Sequence, residues 1–457
     1  MNATPRDSWS SNLGFLLAAM GSAIGLGTIW RFPYSLGVSG GGAYILVYLL
    51  AVCLVALPIL AAEMVIGRRG QRSPPESMEK LAREAGGSPA WRYAAVAQFL
   101  GAFVVLAFYC VVGGWTLAYI PKLLLGEFVG SDPVAVQAVF DGLNASPVRL
   151  AFWHAAFLGL TVLISAGGVR AGVERASSVL MPLFFLLLAG MAVYASSVGE
   201  LGDAARFLFL PDFSKITPAV VLSALGQAFF SIGAGSTVYI AYASYAGPGL
   251  AIGRSAWLIV LAVTAVSVVA GMAVFPIVFQ YGLDPASGPG LAFVTLPLAF
   301  VQMPGGEWFG TAFFFLLFVA ALTSSISMLE VTVSWATERF GVSRTRTAAG
   351  CAFVSWLIGL PALLSFNIWS GVHPLGMLPV FATKTFFDLF DYFAANILLP
   401  AGGLCVAIFA GWVLSERVFC DELGGAIGGV WPRVCRWLLR YLTPVALAVI
   451  FFYLILG

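Results

Sequence analysis

Long apolar runs follow one another almost from end to end of this 457-residue chain, separated by short polar stretches. Around 20 apolar residues is the length a helix needs to cross a bilayer. About eleven such runs can be placed, at roughly 13–36, 42–66, 92–124, 150–167, 176–198, 219–245, 255–281, 309–338, 347–366, 386–415 and 433–456. They are called spans one to eleven below. No stretch between them is long enough for a separate soluble domain, so the pattern predicts one integral membrane domain over 1–457, all-α and polytopic. The first run has no small-residue cleavage site and continues into Arg31-Phe32-Pro33, so it reads as a retained span and not as a signal peptide.

Two runs depart from the pattern. Span one carries Gly21-Ser22-Ala23-Ile24-Gly25-Leu26-Gly27-Thr28-Ile29-Trp30-Arg31-Phe32-Pro33. Glycine and proline weaken a helix, and a charge at membrane depth is expensive, so a mere anchor would carry neither. A small-residue packing face accounts for Gly21 and Gly25, but not for Arg31 or Pro33. Backbone that leaves the helix within a membrane persists only where it lines a protein-buried cavity. Span one is therefore predicted to be a broken, ligand-lining helix. Span six repeats the feature in Gly226-Gln227-Ala228-Phe229-Phe230-Ser231-Ile232-Gly233-Ala234-Gly235-Ser236-Thr237. Spans one and six open two five-span sets, about 10–200 and 217–418, with span eleven (about 431–457) left as an addition. An odd number of spans per set gives the halves opposite orientation. Interrupted segments at matching places in two such halves mark a midplane binding site.

Composition agrees with this reading. Hydrophobic residues make up 60% of the chain and charged residues 10%, against about 25% charged in a soluble domain; mean hydropathy is +0.95. Basic residues set orientation. With the N-terminus inside, cytoplasmic loops hold 17 Lys/Arg and the opposite loops five, with Arg31 left in the membrane. The expectation is a multi-pass protein of the inner (plasma) membrane with a cytoplasmic N-terminus and an extracytoplasmic C-terminus. The net charge of +2 reflects this topology and implies no nucleic-acid partner. The basic stretch from Arg68 to Arg92 is expected to hold a short amphipathic helix, and 126–149 to be an extracellular loop.

Other polar residues inside the spans are few. Glu63, near the end of span two, reads as a structural acid bonding the unwound backbone of span one. Tyr109, in the middle of span three, is either a satisfied core tyrosine or a ligand contact. Span eight carries Thr323-Ser324-Ser325 and Ser327; these hydroxyls either bond back to helix carbonyls or coordinate a hard cation, and the two broken helices favour the cation. The six cysteines show no paired spacing, and His154 and His373 fit no metal-ligand pattern. No nucleophilic triad, phosphate loop or carboxylate pair suggests an enzyme.

Taken together these segments resemble the neurotransmitter:sodium symporter family. The resemblance rests on Gly-Ser-Ala-Ile-Gly-Leu-Gly-x-Ile-Trp-Arg-Phe-Pro-Tyr (21–34), Gly40-Gly41-Gly42-Ala43, Gly-Gln-Ala-Phe-Phe-Ser (226–231), Tyr-Ala-Ser-Tyr (242–245) and Leu-Thr-Ser-Ser (322–325), and it covers nearly the whole chain. It implies the inverted five-plus-five repeat and sodium-coupled import of a small amino acid or related zwitterion by alternating access. The alternative of another class is a membrane sensor that keeps the fold and binds without transporting.

The resemblance also implies site roles. The substrate carboxylate meets the N–H groups of Leu26 and Gly27 and the Tyr109 hydroxyl, an anion at helix-terminal donors. Its amino group meets carbonyls of Ala23, Phe230 and Gly233 and the Ser231 hydroxyl. Val105, Phe230, Ser236, Ser324 and Met328 surround the substrate side chain. Glycine at position 25, where monoamine carriers tend to have aspartate, suits a substrate that brings its own carboxylate. The second sodium site maps to the carbonyls of Gly21, Ile24 and Ala320 and the hydroxyls of Thr323 and Ser324. These neutral oxygens suit a monovalent cation better than calcium or magnesium, which recruit carboxylates. The outer gate maps to Arg31 with Asp391, and the inner gate to Arg6 with Glu338, near Tyr245 and Glu330.

The first sodium site is where the chain departs from the family. Ala23 is retained, but Thr28 replaces an asparagine, Ser231 replaces a threonine, and the span-seven ligand falls on Val263, which has no side-chain oxygen. Tyr48, Gln227, Ser231 and Ser267 match the neighbouring chloride site without its asparagine, and no carboxylate replaces the anion. The sequence therefore predicts a single sodium at the second site and leaves chloride open.

Overall fold

In the computed structural model, which describes residues 7–128, 133–283, 291–424 and 429–456, the described residues form helices and connections with no strand. Among them, nine unbroken helices are long and apolar enough to cross a membrane, and a tenth unit is the bent pair Asn12–Ala23 and Gly27–Ser39, whose axes differ by 54°. Span six is two shorter pieces, Pro218–Ile232 and Val238–Ala243, neither long enough to cross alone. The helices Trp91–Leu124 (span three) and Gly306–Phe340 (span eight) are the most buried and form the centre of the bundle. Spans four and five, Pro147–Ala166 and Val169–Val198, turn large apolar side chains such as Leu163, Leu186 and Val193 outward, as a lipid-facing surface requires.

Each break has a local cause. Span one starts on a Ser11 cap whose hydroxyl accepts from the Gly14 N–H at 2.9 Å. It leaves the helix at Ile24, whose ψ of 83° is not helical, and resumes at Gly27. The first half of span six starts on Thr217 and Pro218, a favourable pair of N-terminal residues. It ends at Gly233 with φ +69°, and Gly235 follows with φ +86°, a region glycine enters without a Cβ clash. Thr237 also has positive φ, +62°, which is costly for a β-branched residue. Its N–H donates to Glu63 Oε1 at 3.0 Å, and its own hydroxyl donates to the Ser236 carbonyl at 2.6 Å.

That bond corrects one expectation. The fully buried Glu63 holds the unwound backbone of span six, not of span one. A second correction concerns 126–149, which is not loop throughout: Pro133–Asn144 is helical. Between Arg68 and Arg92 the expected amphipathic helix is present as Pro74–Glu84, burying Met78, Leu81 and Ala82.

Candidate functional site

The two breaks face one another across a cavity of about 70 Å³. A single water needs roughly 10–15 Å³ on this measure, so the space admits a solute. Ala23, Leu26 and Gly27 line it from span one, and Val105 and Tyr109 from span three. Phe230, Gly233 and Ser236 line it from span six, and Ser324 and Met328 from span eight. The Tyr109 hydroxyl accepts from the Leu26 N–H at 3.2 Å, which ties the span-one break to span three.

Ser231 is the exception among the expected lining residues. It faces away, and its hydroxyl accepts from Gln227 Nε2 at 2.9 Å; the same amide donates to the Gly27 carbonyl at 2.9 Å. Gln227 thus pins span six to the span-one break. Sequence reasoning missed Ser22, Ala102, Val238, Ser327 and Leu399 as lining residues. Ser327 follows Ser324 by one helical turn and Ala102 precedes Val105 by one, so a same-face rule would have found both. Nothing local signals Leu399.

The glycines of span one are closely fitted. A Cβ on Gly25 would lie 2.7 Å from Ser324 Oγ and 3.0 Å from the Tyr109 hydroxyl. One on Gly27 would strike the Phe230 ring. A side chain at position 25 would therefore displace the Ser324 hydroxyl and crowd that of Tyr109. Beside Gly233 the space is open, with only Ser236 Oγ at 4.0 Å.

Of the oxygens expected to form a second cation site, several lie where span one crosses span eight. Ser324 Oγ lies 3.4 Å from the Gly21 carbonyl and 3.1 Å from that of Ser22. Thr323 Oγ1 lies 3.1 Å from the Ala320 and Val319 carbonyls. A Cβ on Gly21 would sit 3.0 Å from the Thr323 Cβ, so only glycine brings that carbonyl so close. The Thr323, Ser325 and Ser327 hydroxyls bond back within the helix, whereas that of Ser324 reaches across to span one. Ile24, whose carbonyl is expected in this set, is the residue at which the helix breaks. The donor set is neutral oxygen throughout, which fits a monovalent cation.

At the expected first site, the Thr28 hydroxyl donates to the Ala23 carbonyl at 3.3 Å. Val263 is buried and apolar, and its carbonyl accepts from Ser267 at 2.9 Å. Nearby, Gln227 Oε1 is buried without a hydrogen-bond partner, and the fully buried Tyr48 hydroxyl lies beside the Ser231 and Ser267 hydroxyls.

The gates are unequally placed. Arg31 and Asp391 do not form an ion pair within 4 Å; the Arg31 guanidinium lies over the Phe230 ring at 4.4 Å, so the expected outer pair is open. Arg6 lies outside the described residues. Its expected partner Glu338 accepts from the Ser73 N–H at 2.8 Å. The N-terminal side is nonetheless closed. Trp9 Nε1 donates to the Tyr242 carbonyl at 2.8 Å, Ser10 bonds Glu174 through its N–H at 2.8 Å and its hydroxyl at 2.6 Å, and the Tyr245 hydroxyl donates to Glu330 at 2.9 Å. Buried Glu330 is paired with Arg344.

Comparison with known proteins agrees with this geometry. A sequence model of the Sodium:neurotransmitter symporter family matches residues 6–129 and 147–456. The uncharacterized sodium-dependent transporter YhdH of Bacillus subtilis is 37% identical over 449 residues, covering 98% of this chain and 97% of its own. A sodium-dependent transporter of Haemophilus influenzae is 33% identical over 457 residues, covering 98% of each. The crystal structure of MhsT in complex with L-phenylalanine superposes with a TM-score of 0.88 at 38% identity, over 98% of this chain and 99% of that one. With its two facing helix breaks and these relatives along its full length, the chain is a multi-pass membrane protein that belongs to the sodium:neurotransmitter symporter family.

Proposed function

We propose that this chain imports a small amino acid or amino-acid-like zwitterion, driven by sodium and by alternating access. The observation that carries the reading is the cavity wall made by Leu26, Gly27 and Tyr109, beside a glycine at position 25 and with no carboxylate of the protein's own among the lining residues. The carboxylate must then come with the solute. It docks on the Leu26 and Gly27 N–H groups at the start of the second half of span one, where the helix dipole favours an anion. Tyr109 turns its hydroxyl proton to it. The amino group meets the carbonyls of Ala23, Phe230 and Gly233, without Ser231, which Gln227 occupies. The complex of MhsT with L-phenylalanine supports an amino acid as the solute. Replacing Tyr109 with phenylalanine should weaken binding about ten- to 150-fold, the worth of one hydrogen bond to a charged group, as a solute titration by thermal shift would read.

Sodium enters as co-substrate at the carbonyls of Gly21, Ile24 and Ala320 and the hydroxyls of Thr323 and Ser324. Both ligands order the same break in span one, so each favours the other's binding; that shared element is the source of coupling. Arg31 then leaves Phe230 for Asp391 and closes the outer side, and the Trp9, Tyr245 and Glu330 contacts of the N-terminal, cytoplasmic side release.

A single sodium is expected. Position 263 offers no side-chain oxygen, and Thr28 and Ser231 supply shorter side chains than the asparagine and threonine the family has there. Uptake should rise hyperbolically with sodium; a sigmoidal rise with two sodium ions carried per solute would contradict this. The open space beside Gly233 and the hydroxyl of Ser236 favour a side chain larger or more polar than leucine's. A competition screen should show this, and glycine or alanine as the sole tight ligand would count against it.

A further inference from the structure

The start of span eleven carries Arg433, Arg436 and Arg440 at three- and four-residue spacing, hence on one helix face. Arg433 is exposed and the other two are half-buried. Among the described residues none of the three has a carboxylate within 4 Å. Asp421 is 3.7 Å from Arg417, Glu422 is 2.5 Å from Arg68, and Glu416 acts on Arg436 only at longer range.

What surrounds Arg440 is aromatic. The Arg440 guanidinium lies 4.1 Å over the Trp412 ring and 5.7 Å from that of Tyr441, and Trp412 Nε1 donates to the Arg440 carbonyl at 3.2 Å. Arg436 Nη1, Arg440 Nε and the Thr443 hydroxyl are buried without a hydrogen-bond partner. Guanidinium N–H groups can only donate, and a cation at a membrane boundary is costly without a counter-charge. The place calls for a bound acceptor of negative charge. From the same helix end, Val434, Trp437, Tyr441, Val445, Val449 and Phe452 form one exposed apolar stripe. Headgroup charge, interfacial aromatics and an acyl-length apolar track occur here in the order in which a phospholipid presents them.

We propose that the start of span eleven is a binding site for an anionic phospholipid, its phosphate held by Arg433, Arg436 and Arg440 and its acyl chain lying along the Val434–Phe452 stripe. A zwitterionic lipid brings an ammonium that three unpaired arginines repel, so the site selects net negative charge. The test is a titration of the delipidated, detergent-solubilised full chain with phosphatidylglycerol or phosphatidylcholine, read by thermal shift. The wild type should bind phosphatidylglycerol preferentially. The R433Q/R436Q/R440Q variant should bind it on the order of a hundredfold more weakly, at roughly the worth of one phosphate-facing charge per arginine, with unchanged melting in phosphatidylcholine. If the triple variant does not fold, the exposed Arg433→Gln alone should reduce the preference. Equal responses to the two lipids, an undiminished response in the variants, or the same stabilisation by inorganic phosphate alone would overturn the proposal. So would self-association that needs these arginines and no lipid, since that would make a second copy the occupant.

Discussion

Replacing Thr323 with valine is expected to remove sodium-dependent stabilisation while leaving a folded protein. The exchange keeps the branched shape where Gly21 packs on Thr323 and deletes only Oγ1, whose hydrogen bonds are to carbonyls of its own helix. Loss of those bonds costs about 1 kcal/mol of folding stability. Loss of one ligand oxygen from a dehydrated cation site costs about 1–3 kcal/mol of sodium binding, roughly five- to 150-fold in affinity. Thermal shift with sodium against potassium separates the two effects. A Thr323→Val protein with an unchanged sodium response would remove this residue from the cation site.

The second large effect is expected at Gly25. A single methyl group there would stand 2.7 Å from Ser324 Oγ and 3.0 Å from the Tyr109 hydroxyl, crowding the hydroxyl that meets the solute carboxylate and displacing one that holds sodium. Gly25→Ala should therefore lose solute binding by at least about tenfold, the lower end for one charge-assisted hydrogen bond. Sodium stabilisation should fall as well, because the Ser324 hydroxyl that the methyl displaces is one of the proposed sodium ligands. Solute affinity within twofold of wild type would show that the carboxylate docks elsewhere.

Much of this site can be read from the chain because its local chemistry is unusual for a membrane. Glycine clusters and a proline inside apolar runs leave few structural readings besides a break, and the breaks occur where expected at Ile24 and Gly233. A lone tyrosine in span three and a run of four hydroxyls in span eight are unusual at span depth, and Tyr109 and Ser324 do reach span one. Long-range choices were less legible. Glu63 has two unwound backbones within the same fold to bond, and its selection of Thr237 depends on how span two packs on the second half of span six. Ser231 shares its helix with Phe230, but Gln227 one turn earlier claims its hydroxyl. In the proposed cycle the Arg31–Asp391 pair would form in only one conformation, and residue types alone do not state which conformation is present. Helix Pro133–Asn144 reads as loop only by contrast with a very apolar chain.

The central claim is that a sodium gradient drives an amino-acid-type zwitterion through the cavity between the two breaks. Its most direct test is uptake of radiolabelled amino acids into proteoliposomes of the purified chain, with sodium outside and potassium inside. The account predicts accumulation above equilibrium that collapses when the sodium gradient is dissipated and is absent in Thr323→Val. Saturable, sodium-dependent binding with no accumulation under any imposed gradient would contradict it.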